Sequence, residues 1–297
     1  MLQLLRKIAF PVSLIYALVV YLRNFLFDVG VFSSKSYKIP TICVGNLSVG
    51  GTGKTPMTEY LLRILDNRNT AVLSRGYKRR SEGFYLANAK STVLELGDEP
   101  YQIHQKFPKV TVAVDADRRN GIEKLESLVN PDIIVLDDAF QHRRVKPTFS
   151  ILLTSYPNLY VNDWYLPTGS LRDAKCPESL QEKEKKEVVV KLRPKHHQKV
   201  LFASLKYHGF VTDGGQQKIP LSELVDKQVA LVTGIASPEP LVRYLKSQEI
   251  NCTHFEFGDH HHFTDKDIER FKGYEMVLTT EKDFVRLDGR VDKLYYL

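Results

Sequence analysis

Only three cysteines, three methionines and one tryptophan occur among the 297 residues. Cys43, Cys176 and Cys252 stand far apart, with no CxxC pair and no metal-ligand spacing. So sparse and odd a set excludes a disulfide scaffold, suits a reducing cytosol and leaves the thiols as packing groups. Internal repeats and low-complexity tracts are also missing, which excludes a fibre or a disordered tail. Long apolar runs are scarce too. Residues 8–22, IAFPVSLIYALVVYL, would span about 22 Å as a helix, against about 30 Å for a hydrocarbon core.

What is present is an average globular composition, 43% hydrophobic and 26% charged, long enough for two domains. The 42 basic and 35 acidic side chains leave a net charge of +7. That balance favours anionic partners, whether phosphate-rich lipid, nucleotide or nucleic acid.

Arg6, Lys7 and Arg23 flank the apolar N-terminal run, and no small-x-small cleavage site follows it, against a signal peptide. Arg6, Ser13 and Asn24 fall on one thin polar stripe of the helix. Such a helix is expected to lie in the headgroup boundary, with its cations near lipid phosphates. A core helix covering a sheet and a single-pass anchor are the alternatives.

Beyond it, short apolar runs alternate with helical stretches. The expected strands are TICVG (41–45), TAVLS (70–74), VTVAV (110–114), DIIVLD (132–137) and FSILLT (149–154). Unbroken runs such as IIVL suit a parallel sheet buried on both faces. A charge run at 181–187 reads as solvated surface, VVVKL (188–192) as a strand, and the turn-rich TDGGQQ (212–217) as part of a hairpin. A second α/β unit follows, with VALVTGI (229–235), a helix over 238–247, THFEF (253–257), a helix from Asp265 and MVLTT (276–280). The expected fold is therefore α/β: an N-terminal membrane-associating helix (1–30), a P-loop domain with a parallel sheet (31–195), a β-hairpin linker (196–223) and a smaller C-terminal α/β domain (224–297).

The strongest local signal is Ser48, Val49, Gly50, Gly51, Thr52, Gly53, Lys54 and Thr55, between a strand and a helical run. Glycines let backbone N–H groups wrap a phosphate, and the helix N-terminus adds its positive end. Lys54 would reach the β- and γ-phosphates of ATP, and Thr55 would ligate Mg²⁺. Ser48 stands where the general pattern has its first glycine. The apolar strand ending in Asp137 and Asp138 supplies further Mg²⁺ ligands. A guanine-selective switch would carry N/T-K-x-D; the nearest string, Thr280-Glu281-Lys282-Asp283, has its lysine one place late.

GNLSVGGTGKTP (45–56), LSRGYKRR (73–80), GDEP (97–100), DADRRNG (115–121), LDDAFQHRR (136–144), LPTGSLRD (166–173), FGDHHHF (257–263) and TTEKD (279–283) follow in one order. Together they resemble the tetraacyldisaccharide 4′-kinase family of lipid A biosynthesis over nearly the whole chain. The resemblance implies ATP-dependent phosphorylation of the 4′-hydroxyl of a tetraacyl glucosamine disaccharide 1-phosphate, giving lipid IVA. It also implies a peripheral site on the cytoplasmic face of a bacterial inner membrane.

The resemblance implies roles as well. Asp98 of GDEP is the candidate base, paired with a histidine of the DHH motif that maps to His260; Glu99 could reach Mg²⁺ or its water shell. On its own, Gly-Asp-Glu-Pro reads as a turn capping a helix, and the three consecutive histidines as an ordinary loop cluster, since neighbours in sequence cannot all face one metal ion. Arg75, Arg118, Arg119, Gln141, His142 and Arg172 are candidates for the lipid substrate. They sit in motifs beside strand C-termini, where open α/β sheets bind ligands, and guanidinium suits a phosphate; plain surface charge is the alternative. No obligate protein partner is expected. A non-catalytic, membrane-docked nucleotide switch is the competing reading. A nucleic-acid ATPase ranks last, for want of a basic stripe with interleaved aromatics.

Overall fold

The computed structural model describes residues 10–48, 51–154, 163–172, 199–201, 203 and 205–297. Two compact units divide the chain: Met1–Arg75 with Lys109–Ser204, and Gly76–Pro108 with Leu205–Leu297. The chain opens with α1 (Phe10–Asp28), β1 (Thr41–Asn46), α2 (Lys54–Ile64) and β2 (Thr70–Ser74). It then leaves for the second unit with β3 (Tyr85–Leu86), α3 (Val93–Leu96) and α4 (Asp98–Lys106). It returns through β4 (Thr111–Val114), α5 (Arg118–Leu128), β5 (Ile133–Asp137) and β6 (Phe149–Leu153). The second unit continues with β7 (Phe210–Asp213), β8 (Lys218–Pro220), a 3₁₀ turn at Leu221–Leu224 and β9 (Val229–Thr233). It ends with α6 (Glu239–Ser247), β10 (Cys252–Glu256), α7 (Asp265–Glu269), β11 (Met276–Thr279), α8 (Glu281–Leu287) and β12 (Leu294–Tyr296).

Within the first unit the strands run β4-β2-β5-β1-β6, each pair parallel. All five residues of β2 are buried, as are four of β5, which is why these strands read as unbroken apolar runs. Each fully buried Val, Leu or Ile contributes about 1.5–3 kcal/mol. Because the strands are parallel, Asn46, Ser74, Val114 and Asp137 all end at the same edge of the sheet. The phosphate-loop motif, Arg75, Asp115 and the Asp137–Asp138 pair therefore share that edge.

Gly45 illustrates how tightly it is built. A Cβ there would lie 2.5 Å from Cβ of Phe140 and 3.0 Å from its backbone nitrogen. Gly45→Ala is expected to destabilise the protein by about 1–3 kcal/mol, the usual overpacking range, read as a lower denaturant midpoint at unchanged slope.

The second unit's sheet is mixed, in the order β10-β9-β11-β12-β7-β8. Its first four strands are parallel, and β12-β7 and β7-β8 are antiparallel. Strand periodicity splits the core into two layers. Val229 and Leu231 pack with Leu241 and Leu245 of α6; Ala230 and Val232 pack with Phe263, Phe271 and Phe284. Here too the parallel strands β9, β10 and β11 end together, which gathers Gly234, the FGDHHHF segment and Thr280.

Two boundaries differ from expectation. Gly76–Pro108 belongs to the second unit, tied there by side-chain bonds such as Lys106 to Glu281 at 2.6 Å. The expected hairpin linker is β7–β8, and pairing with β12 makes it an edge of the second sheet. VVVKL, the charge run before it and Cys176 lie outside the described residues.

Helix α1 is not the buried core helix offered as an alternative. Only Ser13 and Val20 are buried, while Val12, Leu14, Ile15, Leu18, Val19 and Leu22 are each more than half exposed. Ser13 of the polar stripe faces its own unit. Ser13 Oγ donates to Thr168 Oγ1 at 2.8 Å, and Tyr16 Oη donates to the Arg172 carbonyl at 3.2 Å. Arg23, expected near lipid phosphates, instead donates to the Gln141 carbonyl.

Candidate active site

On the first unit, β1 runs through the glycine-rich turn into α2. Gly53 caps that helix at φ 84, a left-handed conformation that favours glycine. No side chain caps α2, so its first amides remain available to an anion. Buried Asn46 braces the turn: its Nδ2 donates to Thr52 Oγ1 at 2.7 Å, and its Oδ1 accepts from Lys54 Nζ at 3.5 Å and from Arg172 Nη2. Ser48 bridges to Leu171. Gly51 is exposed, Thr55 is half-buried on the first turn, and Val49 and Gly50 lie outside the described residues.

The two aspartates after β5 do different things. Asp137 is buried and accepts from Thr58 Oγ1 and Ser74 Oγ, both at 3.3 Å, which ties the β5 end to α2 and β2. Asp138 adopts φ 45, a conformation that is costly for a residue with a Cβ and concentrates at functional sites. It accepts from Arg172 Nη2 at 2.6 Å, and Lys54 Nζ lies 3.9 Å away. Mg²⁺ takes one or two carboxylates and completes its shell with phosphate oxygens and water. Asp138, Asp137 and the Thr55 hydroxyl suit that chemistry, and Lys54 is drawn to the same carboxylate.

The six candidates for the lipid substrate separate. Arg118 is 1% exposed; its Nη1 and Nη2 donate to the carbonyls of Asp115 and Asp137, the latter at 3.2 Å. Burial pulls its pKa down to about 10 against the pull of Asp137 and Asp138. Expected at the lipid, it is instead a strut between the ends of β4 and β5. Arg119 pairs with Asp117 at 3.3 Å on the helix surface. Arg75 is exposed, Gln141 Nε2 donates to the Asn46 carbonyl at 2.6 Å, and Arg172 holds Asp138 and Asn46. Burial, with the charges of Arg118, Arg75 and Arg23, pushes His142 down to about 4, so its imidazole is neutral at pH 7.

The second unit carries the other predicted pair. Gly97, at φ 86, starts α4 and places Asp98 and Glu99 on its first turn. Asp98 Oδ2 lies 2.8 Å from Nδ1 of His260. Burial raises the Asp98 carboxyl, but the His260 hydrogen bond and the Arg286 and Lys282 charges outweigh it, holding it below its ordinary value. His260 is itself at φ 56, anchored by its N–H to the Gly234 carbonyl at 3.1 Å and edged by the Tyr77 ring. Its neighbour His261 is turned elsewhere, to Asp267 at 3.0 Å and onto Phe257. Of the two, His260 is the one that meets Asp98.

Several residues around the pair carried no expected role. Lys282 Nζ lies 3.0 Å from Nε2 of His260 and 3.1 Å from Glu99 Oε1. An ammonium only donates, so Nε2 is the bare nitrogen and Nδ1 carries the hydrogen that Asp98 accepts. Glu99, expected to reach Mg²⁺, has its charge met by Lys282 in this structure. Arg286 lies 3.7 Å from Asp98 Oδ2 and donates to the His261 carbonyl at 2.7 Å. Asp283, fully buried, accepts from Gly234 N at 2.8 Å and pairs with Arg286; burial pushes its carboxyl up. The T-E-K-D string is thus a helix start, with Thr280 as its cap. Lys282 lay inside the TTEKD motif, and Arg286 follows one turn later; that shared helix face was the available signal.

A phosphate-loop turn between β1 and α2, beside the acid-tipped neighbouring strand β5, is the arrangement of P-loop nucleotide-binding proteins. The family is narrower than that. The sequence pattern of the tetraacyldisaccharide-1-P 4'-kinase family matches residues 5–297, and the chain belongs to that family. It is 48% identical to the tetraacyldisaccharide 4'-kinase of Flavobacterium johnsoniae, covering 99% of this chain and 92% of that protein. The kinase of the same name from Bacteroides thetaiotaomicron is 44% identical over 95% of this chain and 83% of its own length. Among solved structures, the Aquifex aeolicus LpxK in complex with ATP superposes with a TM-score of 0.74 at 29% identity, covering 98% of this chain and 93% of that one.

Proposed function

We propose that this chain transfers the γ-phosphoryl group of ATP, with Mg²⁺, to the 4′-hydroxyl of a tetraacyl glucosamine disaccharide 1-phosphate, giving lipid IVA. Phosphoryl transfer is mostly positioning and charge stabilisation. The uncapped start of α2 and Lys54 bind and orient the phosphates. Thr55, Asp137 and Asp138 would hold Mg²⁺, which when bound neutralises charge on the phosphate oxygens. Asp98, oriented by His260, takes the proton of the acceptor hydroxyl. Arg75, Arg119, Gln141, His142 and Arg172 stand for the substrate's 1-phosphate and carbonyls, with Arg118 supporting them from below.

The observation that carries this reading is the 2.8 Å Asp98–His260 bond. A switch that orients only water leaves that pair without a task. The test is transfer of label from γ-labelled ATP to the purified disaccharide precursor in detergent. ATP hydrolysis with no label on the lipid would overturn the reading in favour of a switch.

The same reading places the enzyme peripherally on the cytoplasmic face of the inner membrane, with the outward apolar face of α1 in the headgroup boundary. Each apolar side chain kept out of lipid forfeits about 1.5–3 kcal/mol. Ile15→Glu with Leu18→Glu is therefore expected to weaken sedimentation with anionic vesicles about tenfold or more. Unchanged sedimentation of the double variant would place membrane contact elsewhere.

A further inference from the structure

Lys282 and Arg286 stand one turn apart on α8, and both side chains end at the Asp98–His260 pair. The groups facing His260 are Asp98 and Glu99 of α4, Asp259 beside it, Lys282 and Arg286 of α8, and Tyr77 and Lys78 of the inserted segment. Lys78 Nζ donates to the His260 carbonyl at 3.3 Å. Arg286 is spent on Asp283, Gly234 and the His261 carbonyl, and so fixes the loop that carries the histidines. Lys282 is the residue that addresses the ring. Its ammonium has three hydrogens and three neighbours: Nε2 of His260 at 3.0 Å, Glu99 Oε1 at 3.1 Å and Asp259 Oδ1 at 3.4 Å.

We propose that Lys282 is a positioning residue for phosphoryl transfer: by donating to Nε2 it clamps the His260 ring at its second nitrogen and so holds Asp98 oriented toward the acceptor hydroxyl. This rests on the reading of Asp98 and His260 as the acceptor pair. An imidazole held only at Nδ1 can pivot about that bond. Held at both nitrogens it has one orientation, and Asp98 Oδ2, its partner, is fixed with it. The other carboxylate oxygen, Oδ1, is engaged by neither His260 nor Arg286 and is the one left for the substrate proton. Asp259 and Glu99 in turn hold the ammonium in place, which explains three acidic side chains around one histidine without invoking a metal cage.

The experiment compares Lys282→Met and Lys282→Arg in the full chain, with His260→Ala as the control. Lys282→Met should lower kcat about tenfold or more, the scale of a modest misplacement of a catalytic group, with KM for ATP and lipid unchanged. Lys282→Arg, which keeps a donor, should recover much of the loss. In ¹⁵N-histidine spectra the His260 Nε2 resonance should shift toward that of an unbonded nitrogen in Lys282→Met and stay near the wild-type value in Lys282→Arg. The same resonance reports even if turnover of the Met variant is limited by folding. A normal kcat and unmoved Nε2 in Lys282→Met, while His260→Ala is impaired, would overturn the proposal alone. So would a loss in Lys282→Met that is restored by raising Mg²⁺, since Lys282 would then act through Glu99. Full activity in His260→Ala would overturn the underlying reading instead.

Discussion

Lys54→Ala should yield a folded protein whose turnover is lower by about 10²–10³-fold, the cost of removing one preorganised charge aimed at the transferring group, about 3–4 kcal/mol. Lys54 is half-buried and its ammonium sits between Asn46 and Asp138. No apolar core depends on it, so the melting temperature should change little. Asp138→Asn should fall as far by a different route. It keeps the left-handed backbone that Asn tolerates well, but removes the charge that Arg172 and Lys54 face. It should also raise the Mg²⁺ concentration needed for half-maximal rate, which Lys54→Ala should not. Steady-state kinetics with varied Mg²⁺, beside a thermal melt, separate the two. Near-normal turnover in a folded Lys54→Ala protein would remove the phosphate-loop assignment.

The phosphate-loop turn around Lys54 was legible because its parts are local. A strand, a glycine-rich turn and a helix are consecutive, and a buried parallel strand such as β5 announces itself by an unbroken apolar run ending in acid. What was not legible depends on residues distant in sequence. Segment 76–108 leaves after β2 and returns before β4, both strands of one sheet. Its sequence therefore reads as an ordinary β–α–β connection, although it packs with the second unit. Arg118 looks like a surface cation in DADRRNG; only the meeting of the β4 and β5 ends provides the two carbonyls that bury it. Glu99 reads as a metal ligand in the sequence, and only the fold shows that α8 brings Lys282 beside it. Likewise, nothing local distinguishes His260 from His261. The left-handed turn at His260 and the Asp267 acceptor for His261 separate them only in the fold.

That separation makes the acceptor pair the sharpest test of the chemistry. Asp98→Ala and His260→Ala should each lower kcat by about 10²-fold or more, the range of a positioned acid–base group. KM for ATP should stay nearly constant, since neither residue is part of the phosphate-loop turn. Because Oδ2 and Nδ1 share one hydrogen bond, the two side chains act as a unit, and the double variant should be little worse than the worse single. Multiplicative loss would instead mean independent roles, with His260 serving the lipid directly. His261→Ala supplies the internal control. It breaks the bond to Asp267 and the stack on Phe257, so it should cost stability of the α7 start while leaving kcat within a few-fold of wild type. A dead His261→Ala beside a normal His260→Ala would transfer the role to the neighbour, and with it the orientation of the whole loop. The expected order of kcat is therefore wild type, His261→Ala, then His260→Ala and Asp98→Ala together, because only His260 stands between the carboxylate and the ammonium of Lys282.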